Sequence, residues 1–321
     1  MDQALAKRAW QVLRQAEKWL IITHHNPDGD ALASTNIFLE IAAQLDKPAL
    51  AYCANQPSDN FGFLSKISQL TDQLEYKQFK QFSVVIVVDC GSASRTKLAD
   101  WLKQDLPGQT IIEFDHHEPQ DNYADISFKE SQAAATVEVI HDFLTAIRWP
   151  INTEIARSIL TGLVTDTGNF LYSNTTEKTT KLAAKMMLLG ARLPKIINQT
   201  LASKNLAVMR LWGRALSRLK INPDYLLAVV IIQQKDLLEF GLTSDDLSGL
   251  IGLINSLQGV TGNLLLVETD DGQLKGSLRT NQINVDMSFL ASLLGGGGHQ
   301  KAAGFTIPGK IIGDNDQLVI A

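Results

Sequence analysis

The chain has 321 residues, of which 45% are apolar and 20% charged, so a disordered tail, a collagen-like fibre and a disulfide scaffold are excluded. Its formal net charge of −5 argues against the broad basic face that duplex DNA requires. No apolar run approaches the ~20 residues of a membrane span, and Cys53 and Cys90 lie in apolar runs typical of free buried thiols. We therefore expect a cytoplasmic protein that binds neither duplex DNA nor a membrane.

Strand and helix signals alternate through the first half of the chain. Runs rich in apolar residues predict strands at residues 19–23, 48–54, 83–89 and 110–115, and the third is apolar nearly throughout. Helical periodicity predicts helices at residues 30–45, 96–103, 132–147 and 153–164. Repeated strand–helix units of this kind predict an α/β fold with a doubly wound, mostly parallel sheet.

The pattern changes in the second half. Strands are predicted at residues 225–232, 262–269 and 273–280, the last two joined by a hairpin turn at Asp270-Asp271-Gly272, with a helix at 244–257. We therefore predict a first domain at residues 1–190, a helical connector at 191–215 and a smaller α+β domain at 216–321.

Histidine and aspartate residues follow the predicted strands of the first domain. His24 comes directly after the first strand, Asp89 closes the third, and Asp115, His116 and His117 close the fourth. The carboxyl ends of parallel strands form the ligand crevice of an open α/β sheet, so we expect these side chains on one rim. The same rim is predicted to receive three further aspartates, Asp28, Asp30 and Asp166.

Each piece of this pattern has a simpler explanation when taken alone. Asn26-Pro27-Asp28-Gly29 suits a turn, and Asp30 suits a helix N-cap. Their joint occurrence favours a metal site, because imidazole and carboxylate ligands without cysteine suit Mn²⁺ or a similar octahedral divalent ion. Asp28 and Asp30 could each face a different ion, and Asp89 could bridge two. Two metals about 3.5–4 Å apart activate a shared water and stabilise both the attacking and the leaving oxygens of phosphoryl transfer.

The C-terminal domain carries a second group of candidate residues. Four consecutive glycines, at positions 295–298, precede His299, and such glycines let backbone amides approach a phosphate or a base. A flexible linker is the alternative. Arg279 can hold a phosphate with its bidentate fork, although an exposed cation at a strand end explains it equally simply.

The segments HHNPDGD, VVDCG, DHH, LVTDTGNF and GGGGH followed by AAG occur in this order, and together they resemble the motifs of the DHH phosphoesterase family. The glycine-rich end resembles the DHH-associated C-terminal domain. The chain is similar to the subgroup that degrades very short oligoribonucleotides (nanoRNA) and removes the 3′-phosphate of adenosine 3′,5′-bisphosphate. Some relatives act on dinucleotides.

The resemblance implies a role for each candidate residue. One ion would be held by His24, Asp28 and Asp89, and the other by Asp30, Asp89, His116 and Asp166. Asp115 would orient His116 through its ring N–H. Asp89 and His117 are the implied catalytic residues, with His117 contacting the scissile phosphate or assisting the leaving oxygen. The remaining phosphate or base would be held by Arg279, Gly296, Gly297, Gly298 and His299.

We therefore predict a phosphoesterase with two Mn²⁺ per subunit, with Mg²⁺ and Co²⁺ as alternative metals. Its partners would be short single-stranded RNA or mononucleotide and dinucleotide phosphates. The alternatives are a manganese-dependent inorganic pyrophosphatase and a non-catalytic nucleotide-binding protein on the same fold. The sequence leaves a homodimer open.

Overall fold

A computed structural model describes residues 1–104, 106–200, 205–247, 249–270, 272–312 and 319–320. The chain divides into two compact units, Met1–Ala202 and Ser203–Ala321. The predicted connector contains the helix Leu193–Thr200 and most of the helix Leu206–Ser217, and its residues 201–204 lie outside the described residues. The boundaries predicted at 190 and 216 remain proposals. In the part of the chain that the structure describes, every helix is too short or too polar to cross a membrane.

The first unit alternates strands and helices. Its strands are β1 (Trp19–Thr23), β2 (Ala49–Tyr52), β3 (Leu70–Thr71), β4 (Val84–Val88), β5 (Thr110–Asp115) and β6 (Ile126–Lys129). Its helices are α1 (Gln3–Gln15), α2 (Gly29–Gln44), α3 (Tyr76–Phe79), α4 (Ala99–Leu102), α5 (Thr136–Ala146), α6 (Thr153–Asp166), α7 (Glu177–Leu188) and α8 (Leu193–Thr200).

The strands of the first unit form one parallel sheet in the order β3–β2–β1–β4–β5–β6. Alternate residues of each strand face opposite layers. Ile21 and Ile86 pack with α1, α2, α5 and α6, whereas Leu20 and Val85 pack with α3 and α4. The predicted α/β fold with a doubly wound parallel sheet is therefore confirmed, and its strand order reverses between β1 and β4.

The second unit is built on a mixed sheet. Its strands are β7 (Lys220–Asn222), β8 (Leu227–Ile232), β9 (Gly262–Glu268), β10 (Gln273–Arg279), β11 (Gly297–His299) and β12 (Ala302–Pro308), with a separate pair, β13 (Ile311–Ile312) and β14 (Val319–Ile320). Its helices are α9 (Leu206–Ser217), α10 (Gln234–Phe240), α11 (Leu250–Ile254) and α12 (Met287–Ser292).

Helices cover both faces of this second sheet, whose strand order is β11–β12–β10–β9–β8–β7. Only the β8–β9 pair is parallel among the described strand pairs of this sheet. One core lies between the sheet and α9, α10 and α11, and the other lies under α12. The predicted α+β class of this part is confirmed.

Several predicted elements differ from the structure in length. The predicted helix at 96–103 is a 3₁₀ turn, Ala93–Thr96, followed by the short α4, because Lys97 adopts a left-handed φ of 63° between them. The predicted helix at 132–147 begins only at Thr136. The helix predicted at 244–257 is interrupted by Gly249, with φ of 94°, and its Ser248 lies outside the described residues. The β9–β10 hairpin is present, but Asp271 of its predicted turn also lies outside them.

Candidate metal and phosphate site

The candidate site lies at the carboxyl ends of β1, β4 and β5, which are neighbouring strands. His24 directly follows β1, Asp89 directly follows β4, and Asp115 is the last residue of β5. This is the edge at which the strand order reverses, where open α/β sheets place their ligands. The helices add the other side chains, because Asp30 lies in the first turn of α2 and Asp166 ends α6.

Asp89 is the central carboxylate of the site. It is 2% exposed and adopts a left-handed φ of 59°, an uncommon conformation that aspartate tolerates better than most residues. Its Oδ2 lies 3.8 Å from Nε2 of His24, and its Oδ1 lies 3.6 Å from Nε2 of His116. The Thr136 hydroxyl donates to the same Oδ1 at 2.8 Å. The two oxygens of one carboxylate thus face histidines from two different strands.

His24 has the geometry of a metal ligand. Its Nδ1 donates to the carbonyl of His25 at 2.8 Å, which directs the Nε2 lone pair toward Asp89 and Asp28. Within the described ranges, the buried Nε2 has no hydrogen-bond partner. Burial lowers the pKa of His24, but Asp89 and Asp28 outweigh burial and raise the pKa overall. A bound cation would satisfy this nitrogen, so the side chains present fit a metal here.

Asp28 contributes an oxygen to the same group. It is the N-cap of α2, and its Oδ1 accepts from the backbone amides of Asp30 and Ala31 at 3.0 and 3.1 Å. Its Oδ2 lies 4.0 Å from Nε2 of His24. Asp28, rather than the predicted Asp30, is therefore the N-cap, and Asp28 is also a candidate ligand.

Asp30 is held by the N-terminus of α5. Its two oxygens accept from the backbone amides of Thr136 at 2.5 Å and Val137 at 3.1 Å, where the helix dipole favours a negative charge. Gly162 of α6 makes room for it, because a Cβ there would lie 2.4 Å from Asp30 Oδ1. Burial raises the pKa of Asp30 well above its ordinary value, and Asp89 adds to the effect. A cation beside this carboxylate would oppose that shift.

His116 and Asp166 complete a second group with Asp30. Nε2 of His116 lies 3.2 Å from Oδ2 of Asp166, and its Nδ1 lies 3.3 Å from the carbonyl of Ala133. Burial lowers the pKa of His116, but Asp166 and Asp89 raise it well above its ordinary value. Burial also raises the pKa of Asp166 to about 6.

All six predicted metal ligands therefore come together, in two groups. The groups are His24, Asp28 and Asp89, and Asp30, His116 and Asp166. Within each group, the potential donor atoms lie within 4.8 Å of one another. Asp89 contacts the histidine of each group, as a bridging ligand requires.

Asp115 does not orient His116, so this part of the prediction is wrong. Its Oδ1 accepts from the backbone amide of His117 at 2.9 Å and lies 2.7 Å from Nδ1 of the same residue. Its Oδ2 accepts from the amide of Gly91 at 2.5 Å. The reason is geometric: the strand ends at Asp115, and the chain turns so that the ring two residues later returns over the carboxylate.

Arg95 belongs to this site although the sequence analysis did not select it. Its Nη1 lies 3.4 Å from Nε2 of His117, and its carbonyl accepts from the backbone amide of His25 at 2.8 Å. A Cβ on Gly91 would lie 3.3 Å from both Arg95 Nη1 and His117 Cγ. The only sequence signal was an arginine six residues after the strand-terminal Asp89.

The predicted phosphate-holding residues lie together in the second unit. Arg279 ends β10 and pairs in register with Ala302 of β12. On its other side, Ala302 pairs with His299 of β11. The glycine run is part of the sheet rather than a flexible linker. A Cβ on Gly296 would lie 2.1 Å from the carbonyl of Gly304, and Gly298 has a φ of 138°. Close packing against β12 therefore accounts for two of these glycines.

Comparison with known proteins finds two family models that match this chain. Residues 18–164 match the DHH family, N-terminal domain, and residues 222–319 match the DHHA1 domain. The bifunctional oligoribonuclease and PAP phosphatase NrnA of Bacillus subtilis is 28% identical over 289 residues, which cover 88% of this chain and 87% of the relative. The protein of the same name from Thermus thermophilus is 28% identical over 311 residues, covering 94% and 90%.

Solved structures share the fold. An exopolyphosphatase-related protein from Bacteroides fragilis superposes with a TM-score of 0.86 at 23% identity, covering 95% of this chain and 91% of that one. RecJ from Thermus thermophilus in complex with Mn²⁺ gives a TM-score of 0.53 at 15% identity, covering 95% of this chain and 52% of RecJ.

Proposed function

We propose that this chain is a two-metal phosphoesterase that hydrolyses short oligoribonucleotides and the 3′-phosphate of adenosine 3′,5′-bisphosphate, because its two parts match the DHH family, N-terminal domain, and the DHHA1 domain. The observation that carries this proposal is the position of Asp89, whose two oxygens face His24 and His116. The relatives named as oligoribonuclease and PAP phosphatase support the choice of substrates.

The metal ligands follow from the two groups. His24, Asp28 and Asp89 would hold one ion, and Asp30, Asp89, His116 and Asp166 the other. When bound, a pair of divalent cations lowers the pKa of water and stabilises charge on the attacking and leaving oxygens. Oxygen and imidazole ligands without thiolate favour Mn²⁺, and Mg²⁺ and Co²⁺ remain alternatives. The complex of RecJ with Mn²⁺ is consistent with this choice.

His117 and Asp115 act on the substrate side of the site. Asp115 accepts from Nδ1 of His117 and so fixes the ring, which is 21% exposed and can reach a phosphate. The ring also lies 3.6 Å from Asp89 Oδ1, so a phosphate held at the bridging carboxylate would meet it. We infer that His117 contacts the scissile phosphate and that Asp89 is the essential bridge.

In the second unit, we infer that Arg279 and His299 bind the phosphate or base that is not cleaved, with the amides of residues 296–298 beside them. The register of β10, β12 and β11 supports this, because it places Arg279 and His299 opposite the same residue, Ala302. The guanidinium of Arg279 donates to the carbonyl of Leu278 at 2.9 Å, which restrains its fork.

The cellular setting is inferred from the cysteines and the charge of the chain. Cys53 and Cys90 are free and buried, as in a reducing compartment, which supports a cytoplasmic location. The acidic chain favours short nucleotides over duplex DNA as partners. A homodimer remains open.

One assay tests the function. The protein loaded with Mn²⁺ is incubated with 5′-labelled RNA of two to five nucleotides, adenosine 3′,5′-bisphosphate, pyrophosphate and a cyclic dinucleotide, alongside Asp89→Asn as a control for contaminating nucleases. We expect the wild-type protein alone to cleave the short RNA and the bisphosphate. Hydrolysis of pyrophosphate alone would identify a pyrophosphatase instead. Nucleotide binding without any hydrolysis would identify a non-catalytic binding protein.

A further inference from the structure

Arg95 is a cation placed at the edge of a cluster of carboxylates. It lies in the 3₁₀ turn Ala93–Thr96 that follows β4, and its side chain is half-buried. Its Nη1 reaches Nε2 of His117 at 3.4 Å, and that ring lies 3.6 Å from the bridging Asp89. The ring of His117 therefore lies between Arg95 and Asp89, the carboxylate that is proposed to bridge two cations.

The backbone around Arg95 is fixed from several directions. Its carbonyl accepts from both the backbone amide and Nδ1 of His25, each at 2.8 Å, which ties this turn to the loop after β1. The amide of Ala93 donates to both carboxylate oxygens of Asp121 at 3.3 Å. Gly91, with φ of 66°, leaves space for Arg95 and His117 to lie side by side. The backbone that carries Arg95 is thus held in place before a substrate arrives, which favours binding.

The net charge of the carboxylates explains why a cation is needed at the position of Arg95. The carboxylates gathered here are Asp28, Asp30, Asp89, Asp115 and Asp166. Two divalent cations would neutralise four of them and leave one negative charge, which would repel a phosphate. The charge of Arg95 cancels it. A guanidinium has five N–H donors in a rigid fork, so contact with His117 leaves donors for phosphate oxygens.

We propose that Arg95 binds a non-bridging oxygen of the scissile phosphate, beside His117. This inference rests on the proposed function, because it needs cations and a phosphate at Asp89. It assigns Arg95 to the same phosphate as His117 and distinguishes it from Arg279, which belongs to the second unit.

The test uses inorganic phosphate and the Mn²⁺-loaded full chain. Paramagnetic Mn²⁺ broadens the ³¹P signal only of phosphate bound close to it, so the broadening during titration yields the dissociation constant for this site alone. We expect Arg95→Ala to weaken phosphate binding by about 10- to 100-fold, the loss of a hydrogen bond to a charged group. Arg95→Lys should recover part of it, because lysine keeps the charge but lacks the fork. Bound Mn²⁺ per chain should be unchanged in both variants.

The matched control is Lys97→Asn, which removes an exposed cation from the same segment. Asparagine tolerates the left-handed φ of 63° at this position. We expect phosphate binding by this variant to stay close to that of the wild type. Equal weakening in Lys97→Asn and Arg95→Ala would overturn the proposal, because the effect would then be one of general charge. Unchanged binding in Arg95→Ala would overturn it as well.

Failure of this inference differs from failure of the proposed function. If the wild-type protein cleaves short RNA while Arg95→Ala and Arg95→Lys bind phosphate as the wild type does, only the role of Arg95 is wrong. If the wild-type protein binds no Mn²⁺ and cleaves none of the substrates, the function and the role of Arg95 fall together.

Discussion

We expect Gly162→Ala to disturb the proposed metal ligands although Gly162 is not one of them. This glycine lies on the face of α6 that packs against α2 and α5. An added Cβ would lie 2.4 Å from Asp30 Oδ1 and 2.7 Å from the Val137 methyl groups. Both neighbours are fully buried, so neither can turn away into solvent.

The expected magnitude follows from these distances. Relief of the clash requires a shift of about 1 Å, because non-bonded atoms approach favourably only to about 3.5 Å. Such a shift would stretch the hydrogen bonds from Thr136 and Val137 to Asp30, each of which contributes about 1.5–3 kcal/mol. Loss of about half of this hydrogen-bond energy costs about 2 kcal/mol, overpacking costs about 1–3 kcal/mol, and the higher helix propensity of alanine returns about 1 kcal/mol. We therefore expect the free energy of unfolding to fall by about 2–4 kcal/mol.

The measurement is urea unfolding of the Mn²⁺-loaded protein, together with metal content and hydrolysis of short RNA. Gly213→Ala is the matched control, because Gly213 also lies within a helix, α9, and no atom lies within 4 Å of its added Cβ. That variant should be more stable than the wild type by about 0.5–1 kcal/mol and should keep full activity. A Gly162→Ala protein that equals the wild type in unfolding midpoint and metal content would refute the reasoning.

Three further predictions concern single side chains. Asp89→Asn should abolish hydrolysis. Its far-ultraviolet circular dichroism should stay unchanged, because asparagine also tolerates the φ of 59°. Turnover like that of the wild type would contradict the bridging role. Arg279→Ala should raise the KM for short RNA by about 10-fold or more without loss of Mn²⁺, and an unchanged KM would remove Arg279 from the substrate site. Burial raises the pKa of Asp166 to about 6. In metal-free protein, the folded state therefore keeps a proton that the unfolded chain releases at about pH 4, so the urea concentration at the unfolding midpoint should fall as pH rises from about 4 through 6. Asp166→Asn should weaken this pH dependence in urea titrations, and an identical pH profile would show that Asp166 does not cause it.

The rim of the site could be predicted from the sequence because its strands are unambiguous. β1, β4 and β5 are rich in apolar residues and almost fully buried, and each ends where a polar motif begins. Parallel strands bring those ends to one edge, so His24, Asp89 and Asp115 were expected to meet before any distance was known.

The supports of the site depend on contacts between distant residues, which local patterns do not reveal. Thr136 is 106 residues from Asp30 in sequence, and nothing in its neighbourhood marks it as a partner. Arg95 is one basic residue among 29. β11 was missed because glycine is a poor strand former, and it pairs here only because the backbone of β12 approaches so closely.

Thr136 joins two functional carboxylates through one residue. Its amide donates to Asp30, and its hydroxyl donates to Asp89. Protein atoms alone therefore hold these two side chains in place, and loading with ions requires little reordering of the chain. Chelation should empty the centre without melting the fold, in contrast to small zinc domains that collapse once stripped. We therefore expect the metal-free protein to remain folded but inactive, and to become active when divalent cations are supplied.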